Sequence, residues 1–87
     1  MKAVITVVGK DSVGILAKVS CGCSDFNANI LDVTQSVIDD YFTMVMVVEI
    51  SKLNADLSEL NKKLEADLPT MKIHVMHEDI FNAMHRI

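Results

Sequence analysis

The residues best suited to recognising a small molecule fall in one short stretch, Gly9-Lys10-Asp11-Ser12-Val13-Gly14, between an apolar run and a helical pattern. Gly9 can adopt turn conformations closed to other residues. Gly14, expected in the first helical turn, costs about 1 kcal/mol against alanine there. Close approach of another backbone or of a ligand would offset that cost. The amides of Ser12, Val13 and Gly14 are expected to point outward at the positive end of the helix, where they can receive a carboxylate. A plain structural reading uses the same residues. Every helix N-terminus carries free amides, and Asp11 or Ser12 is an ordinary capping residue.

The other reactive side chains are poorly arranged for catalysis or metal binding. Cys21 and Cys23 lie two apart within a helical pattern, about 200° around its axis, so they cannot chelate one ion. Cysteines this close cannot join distant parts of the chain, which excludes a disulfide scaffold. His74 and His77 are three apart on an expected strand and so face opposite sides, while His85 falls in the tail. Ser12, Ser20 and Ser24 have no histidine nearby in sequence to act as a base. The expectation is no catalytic residue, no metal and no cofactor.

The elements that position the loop follow from hydrophobic periodicity. Ala3–Val8 is β-branched and almost wholly apolar, as in a central strand covered on both faces. Ile15, Leu16, Val19, Cys23 and Phe26 follow helical spacing, and Asn27-Ala28-Asn29 ends that helix. Ile30–Ile38 alternates, with Leu31, Val33 and Val37 on one face and Asp32, Thr34 and Ser36 on the other, the pattern of an edge strand. Asp39-Asp40 is a hairpin turn. Phe42, Met44, Met46, Val48 and Ile50 mark the core face of a third strand, and Val45 and Val47 leave its reverse face partly apolar. Asn54 or Asp56 starts a second helix with a stripe of Leu57, Leu60, Leu64 and Leu68. Glu59 and Lys63 form an i,i+4 pair on it, and Pro69 stops it. Met71–His77 is a fourth strand. Residues 78–87 form a short amphipathic helix with Ile80, Phe81, Met84 and Ile87 apolar; Glu78 and Asp79 suit its start, and His85 and Arg86 its end.

The order is β-α-β-β-α-β plus a tail helix. Right-handed crossovers place both main helices on one face of a four-stranded antiparallel sheet, giving an α+β, ferredoxin-like βαββαβ sandwich with a short C-terminal helix. Residues 1–77 form the domain and residues 78–87 a helical extension of it. The chain has 87 residues, 51% of them hydrophobic and 23% charged. That suffices for one core but makes a lone monomer only modestly stable, so the apolar excess points to a partner surface.

Charge and composition remove several uses of this plan. Eight basic against twelve acidic residues leave a net charge of −4, which opposes binding driven by phosphates. No strand offers the stacking aromatics of an RNA-binding sheet. A phosphoryl-transfer enzyme of the acylphosphatase kind needs an arginine in the first strand–helix loop, and the sole arginine is Arg86. A copper-carrying domain needs both cysteines in that loop. The longest apolar stretch, Met44–Val48, falls far short of the ~18 residues of a membrane span. The opening segment is too short and too β-branched for a secretory signal, so a cytoplasmic location is expected.

The stretch Val7-Val8-Gly9-Lys10-Asp11-Ser12-Val13-Gly14-Ile15-Leu16 resembles the opening of an ACT domain, a small regulatory module of amino-acid metabolism. Asn27-Ala28-Asn29-Ile30-Leu31-Asp32 is similar to the helix–strand junction of the same family. With the element order, the resemblance spans residues 1–77. The likeness is to small stand-alone bacterial ACT proteins and, more loosely, to the glycine cleavage system repressor. It implies amino-acid binding between two modules, with Gly9, Lys10, Asp11, Ser12, Val13 and Gly14 on the ligand backbone and Asn29 and Ile30 of the neighbour facing them. Loop amides would take the carboxylate, and the Asp11 carboxylate or the Asn29 side-chain oxygen would accept from the ammonium. Lys10 either screens the carboxylate or is a solvated surface charge.

The expected protein is thus a stand-alone ACT-type regulatory domain, with no catalytic activity. It is expected to be a homodimer or higher homo-oligomer that binds an amino acid or related metabolite and modulates a separate metabolic enzyme or regulator. Its rival is a structural interaction module with no ligand. Edge pairing through Ile30–Ile38 is one expected mode of association, and packing through Val45 and Val47 is the other.

Overall fold

The computed structural model describes residues 1–84; the expected helix residues His85, Arg86 and Ile87 lie outside this range. The elements are β1 (Lys2–Lys10), α1 (Ile15–Asp25), β2 (Asn29–Ile38), β3 (Tyr41–Glu49), α2 (Leu57–Asp67), β4 (Met71–His77) and α3 (Glu78–Met84). The strands form one antiparallel sheet in the order β2-β3-β1-β4. This is the ferredoxin-like βαββαβ sandwich expected from the periodicity.

The core forms between the sheet and α1 and α2. Alternation on β1 and β3 sends Ala3, Ile5, Val7, Met44, Met46 and Val48 inward, all buried. The helices add Ile15, Val19 and Cys23 from α1 and Leu60, Leu64 and Leu68 from α2. The two helices approach closely at Gly22, where an added Cβ would lie 2.6 Å from Leu64 Cδ2. Burial pushes the Cys23 thiol up to about 11, because a thiolate loses its hydration there. Cys23 is a packing residue at neutral pH.

Several local expectations change. Helix α1 starts at Ile15, where the apolar pattern begins, but later than a cap at Asp11 or Ser12 implies: Gly14 is its N-cap at φ 84°, and neither Asp11 nor Ser12 makes a side-chain capping bond. Gly9 is not a turn residue but the penultimate residue of β1, paired with Phe42 and Met71. It is small because β4 approaches it: an added Cβ would collide with Met71 Sδ and lie 2.9 Å from the Thr70 carbonyl oxygen. In α2, Lys63 pairs with Asp67 at 3.1 Å instead of with Glu59. In β2, the register slips between Ile30 and Asp32. That bulge turns Leu31 outward, and Val37, on the outermost strand, is also exposed; Ile30 and Val33 supply the edge strand's share of the core.

Among the described residues, only half of the reverse face of the sheet is covered. Helix α3 packs against β1 and β4. A groove of about 480 Å³ lies beside it, lined by Thr6, Val45, His74 and Met76 of the reverse face and by Ile80 and Met84 of α3. The helix explains why Val4, which points away from the main core, is nonetheless buried. At the outer edge of β4, the Asn61 side chain of α2 accepts a 2.7 Å bond from the Val75 amide, which occupies a donor that would otherwise invite another strand.

Candidate functional site

The β1–α1 loop is held at one end of the sheet by the β2–β3 hairpin. Asp39 takes φ 59° in the two-residue turn, a left-handed conformation that aspartate tolerates better than most residues. The turn projects Asp40 toward the loop, where its carbonyl accepts from the Asp11 amide at 2.9 Å. The Asp40 carboxylate also lies 3.9 Å from Lys10 Nζ, between exposed side chains, so that ion pair contributes little. The backbone bond is what ties the loop to the hairpin tip.

Beyond Asp11 the chain is open to solvent. Ser12 and Gly14 are exposed, and Val13 is 98% exposed. The Gly14 carbonyl accepts the first helical bond, from the Lys18 amide at 3.0 Å. The amides of Ser12, Val13 and Gly14 have no protein partner among the described residues. With Asp11 and Ser12 making no cap, the positive end of α1 faces water and is free to meet an anion. Gly14 has nothing within 4 Å of where a Cβ would stand, so its left-handed φ, not crowding, accounts for the glycine.

Asn29 and Ile30 lie elsewhere. Asn29 is level with Glu49 and Lys2, whereas the loop is level with Tyr41 and Ile38. At ~3.3 Å per residue along β1, the two groups stand roughly 25 Å apart within one chain. Asn29 instead borders a shallow cleft with Ser24, Asn27 and Lys52, and a second hollow adds Glu49 and Ser51. The chain turns into this cleft through Asn27 at φ 59°. Across from it, Asn54 binds the end of α1, its amide donating to the Phe26 carbonyl and its side chain to that of Asp25, both at 3.2 Å. Glu49 accepts from the Ser51 hydroxyl and amide and from the N-terminal ammonium, and these bonds hold its carboxyl down at about 2. Glu49, Ser51 and Lys52 had no motif to announce them, because they reach the cleft only through the end of β3 and the loop after it.

Among the described residues no three metal-ligating side chains converge. His74 faces the reverse groove, while His77 Nδ1 accepts from the Asp79 amide at 3.4 Å. Among the described residues no helix is long and apolar enough to cross a membrane. The chemistry on offer is recognition of a small polar molecule by backbone amides and short side chains.

Comparison with known proteins agrees with this architecture. The sequence profile of the ACT domain matches residues 2–78. A UPF0237 protein of Clostridium perfringens is 51% identical over 89 residues, with 100% of both chains covered. Another, of Methanococcus maripaludis, is 49% identical over 87 residues, covering 97% of this chain and 96% of the relative. Among solved structures, an ACT domain protein from Streptococcus pneumoniae superposes with a TM-score of 0.77 at 44% identity over 98% of each chain. With the profile spanning nearly all of the fold, the chain belongs to the ACT domain family, whose members of this type are small regulatory, ligand-binding domains and not enzymes.

Proposed function

We propose that this protein is a stand-alone ACT-type regulatory domain that binds a small amino acid or related metabolite at a homodimer junction and modulates a separate metabolic enzyme or regulator in the cytoplasm. The site comprises Gly9, Lys10, Asp11, Ser12, Val13 and Gly14 of one protomer and Asn29 and Ile30 of a second. One observation carries the reading: the uncapped, solvent-facing start of α1 is tied through Asp11 to the very hairpin that ends the edge strand β2.

Edge pairing explains how the two halves meet. β2 is an outer strand with unpaired backbone groups, so antiparallel pairing of two copies about a twofold would join their sheets. Such pairing sets Asn29 and Ile30 of one copy level with Val37 and Ile38 of the other. That is the end where the hairpin tip touches the loop. The amides would receive the ligand carboxylate, and Asp11 with the second copy's Asn29 would accept from its ammonium. The relatives matched over their full length support a domain that acts without an attached enzyme. Ligand that prefers the dimer stabilises it, and by linkage alters the binding of any target that reads the dimer.

A thermal-shift and calorimetry screen of the twenty amino acids tests this. A ligand at a hundred times its Kd should add about 2.7 kcal/mol of stability, which is a shift of at least ~10 °C for a domain this size. Asp11→Ala and Asn29→Ala should each remove the shift while leaving the circular dichroism spectrum unchanged. If no amino acid shifts the melting temperature at millimolar concentration, the metabolite-binding reading fails. Undiminished binding in both variants would move the site elsewhere.

A further inference from the structure

The cleft at the Asn29 end of the sheet is walled by polar side chains that the fold does not use. Ser24, Asn27, Ala28, Asn29 and Lys52 border about 330 Å³. The adjoining hollow of about 250 Å³ shares Asn27, Asn29 and Lys52 and adds Glu49 and Ser51. Ala28 is the sole apolar residue in either wall. The Ser24 hydroxyl, the Asn27 and Asn29 carboxamides and the Lys52 ammonium make no hydrogen bond or ion pair among the described residues. Asn27 has a conformational reason to be asparagine, its φ of 59°; Asn29 and Lys52 do not.

The backbone beneath these groups is fixed. Lys52 sits in a turn closed by the Leu53 amide, which donates to the Ile50 carbonyl at 3.1 Å, and Asn54 ties the loop beyond it to the end of α1. The carbonyls of Gly22 to Phe26 already accept bonds from following amides or from Asn54, so side-chain donors are what remains for a ligand. The Glu49 carboxylate is matched by the N-terminal ammonium and by Ser51. Lys2, Asp25, Asp32 and Asp56, the other charged residues near in sequence or register, line neither hollow. The uncommitted charge in the wall is the Lys52 ammonium.

We infer that Lys52 and this cleft select the ligand by its side chain, and that the ligand is a dicarboxylic amino acid of the aspartate or glutamate kind. The inference rests on the amino-acid site proposed above and adds the ligand class to it. In that site Asn29 of the second protomer accepts from the ligand ammonium through its oxygen, which leaves its NH2 group to donate. The cleft continues that contact into the second protomer, so a ligand whose α-carboxylate lies on the loop amides directs its side chain past Asn29 toward Lys52. An aliphatic or aromatic side chain would cover these polar groups without bonding to them, at a desolvation cost. A basic one would meet the lysine. A carboxylate accepts from the Lys52 ammonium, the Ser24 hydroxyl and the asparagine amides, the first bond being charge-assisted. On the loop side Lys10 lies by Asp40 and Asp11 is matched by the ligand ammonium, while Asp39 stays in solvent at the hairpin tip, where its charge is screened.

Calorimetric titration of wild type, Lys52→Met and Lys52→Arg with aspartate, glutamate, asparagine, glutamine and leucine tests this. Lys52 is exposed, so the fold should survive, as circular dichroism would verify. Wild type should bind one acid about tenfold or more tightly than its amide, the worth of a hydrogen bond to a charged group, and should bind leucine more weakly than either. Lys52→Met should lose about tenfold for the acid and little for the amide, so that the preference disappears; Lys52→Arg should restore it. A purely structural role for Lys52 would weaken acid and amide alike. Leucine bound as tightly as the acids, or an acid-to-amide ratio unchanged in Lys52→Met, would overturn the inference. An uncharged amino acid whose binding is lost in Asp11→Ala and kept in Lys52→Met would refute selection by Lys52 and leave the amino-acid site standing. Failure of all twenty amino acids to bind wild type would remove both.

Discussion

Gly9 and Gly14 flank the same loop, yet replacing each with alanine should destabilise the protein for different reasons. At Gly14 a Cβ meets open space, and the obstacle is φ 84° alone. A left-handed alanine costs about 1–2 kcal/mol, and the loss of glycine's freedom in the unfolded chain returns about 0.4–1 kcal/mol. Gly14→Ala should therefore lose about 1 kcal/mol, or roughly 4–8 °C in melting temperature. Gly14→Asn should lose less, since asparagine tolerates this conformation. At Gly9 the backbone is an ordinary strand, but the Cβ would collide with Met71 Sδ and lie 2.9 Å from the Thr70 oxygen and 3.1 Å from Met71 Cα. Two of those contacts are backbone and cannot swing aside, so Gly9→Ala should lose about 1–3 kcal/mol by overpacking. Urea unfolding at fixed protomer concentration measures both. In a double-mutant cycle, Met71→Ala should recover part of the Gly9→Ala loss and none of the Gly14→Ala loss. The reasoning is refuted if Gly14→Asn is as unstable as Gly14→Ala, or if Met71→Ala rescues neither glycine variant.

Four further outcomes follow from the packing and the titrating groups. Leu64→Ala should destabilise by about 2–5 kcal/mol, because Leu64 is fully buried against Gly22; chemical unfolding reads this. The native protein should expose one thiol to a neutral-pH alkylating reagent and the unfolded protein two, since Cys21 is exposed and Cys23 is buried with its thiol raised to about 11. Because the unfolded thiol ionises near 9 and the folded one does not, stability should also fall as pH rises above ~9. Glu49, held at about 2 against an ordinary 4.5, contributes stability above the higher value that is lost as pH falls toward the lower. Glu49→Gln should flatten the acid side of the stability profile, and a profile identical to wild type would remove Glu49 from that role.

Much of the fold was legible in residue order because the signals are local. The β-branched run at Ala3–Val8, the alternation of Phe42 to Ile50, the leucine stripe of α2 and the stop at Pro69 each report a period or a broken backbone bond. The misses occurred where a neighbour overrides the local pattern. Leu31 alternates correctly for the core but sits in a bulge, a feature of the ladder with β3. Gly9 has the composition of a turn, yet its smallness answers to Met71, sixty-two residues away. Asp11 has the right side chain for a cap, but its amide is drawn to Asp40 and the helix starts three residues later. The loop motif was visible as a candidate site; its tether to the hairpin and the cleft residues Glu49, Ser51 and Lys52 were not, since no spacing rule links them.

Sequence alone determined the element order, the hydrophobic faces and the loop that can meet an anion, because each depends on residues within a few positions of one another. Tertiary structure alone decided that Asn29 stands at the far end of the sheet from Gly14, that Gly14 and not Asp11 begins the helix, and that α3 covers half of the reverse face. These depend on strand register and on which surfaces meet, and register is set by the sum of many long-range contacts that no single segment encodes.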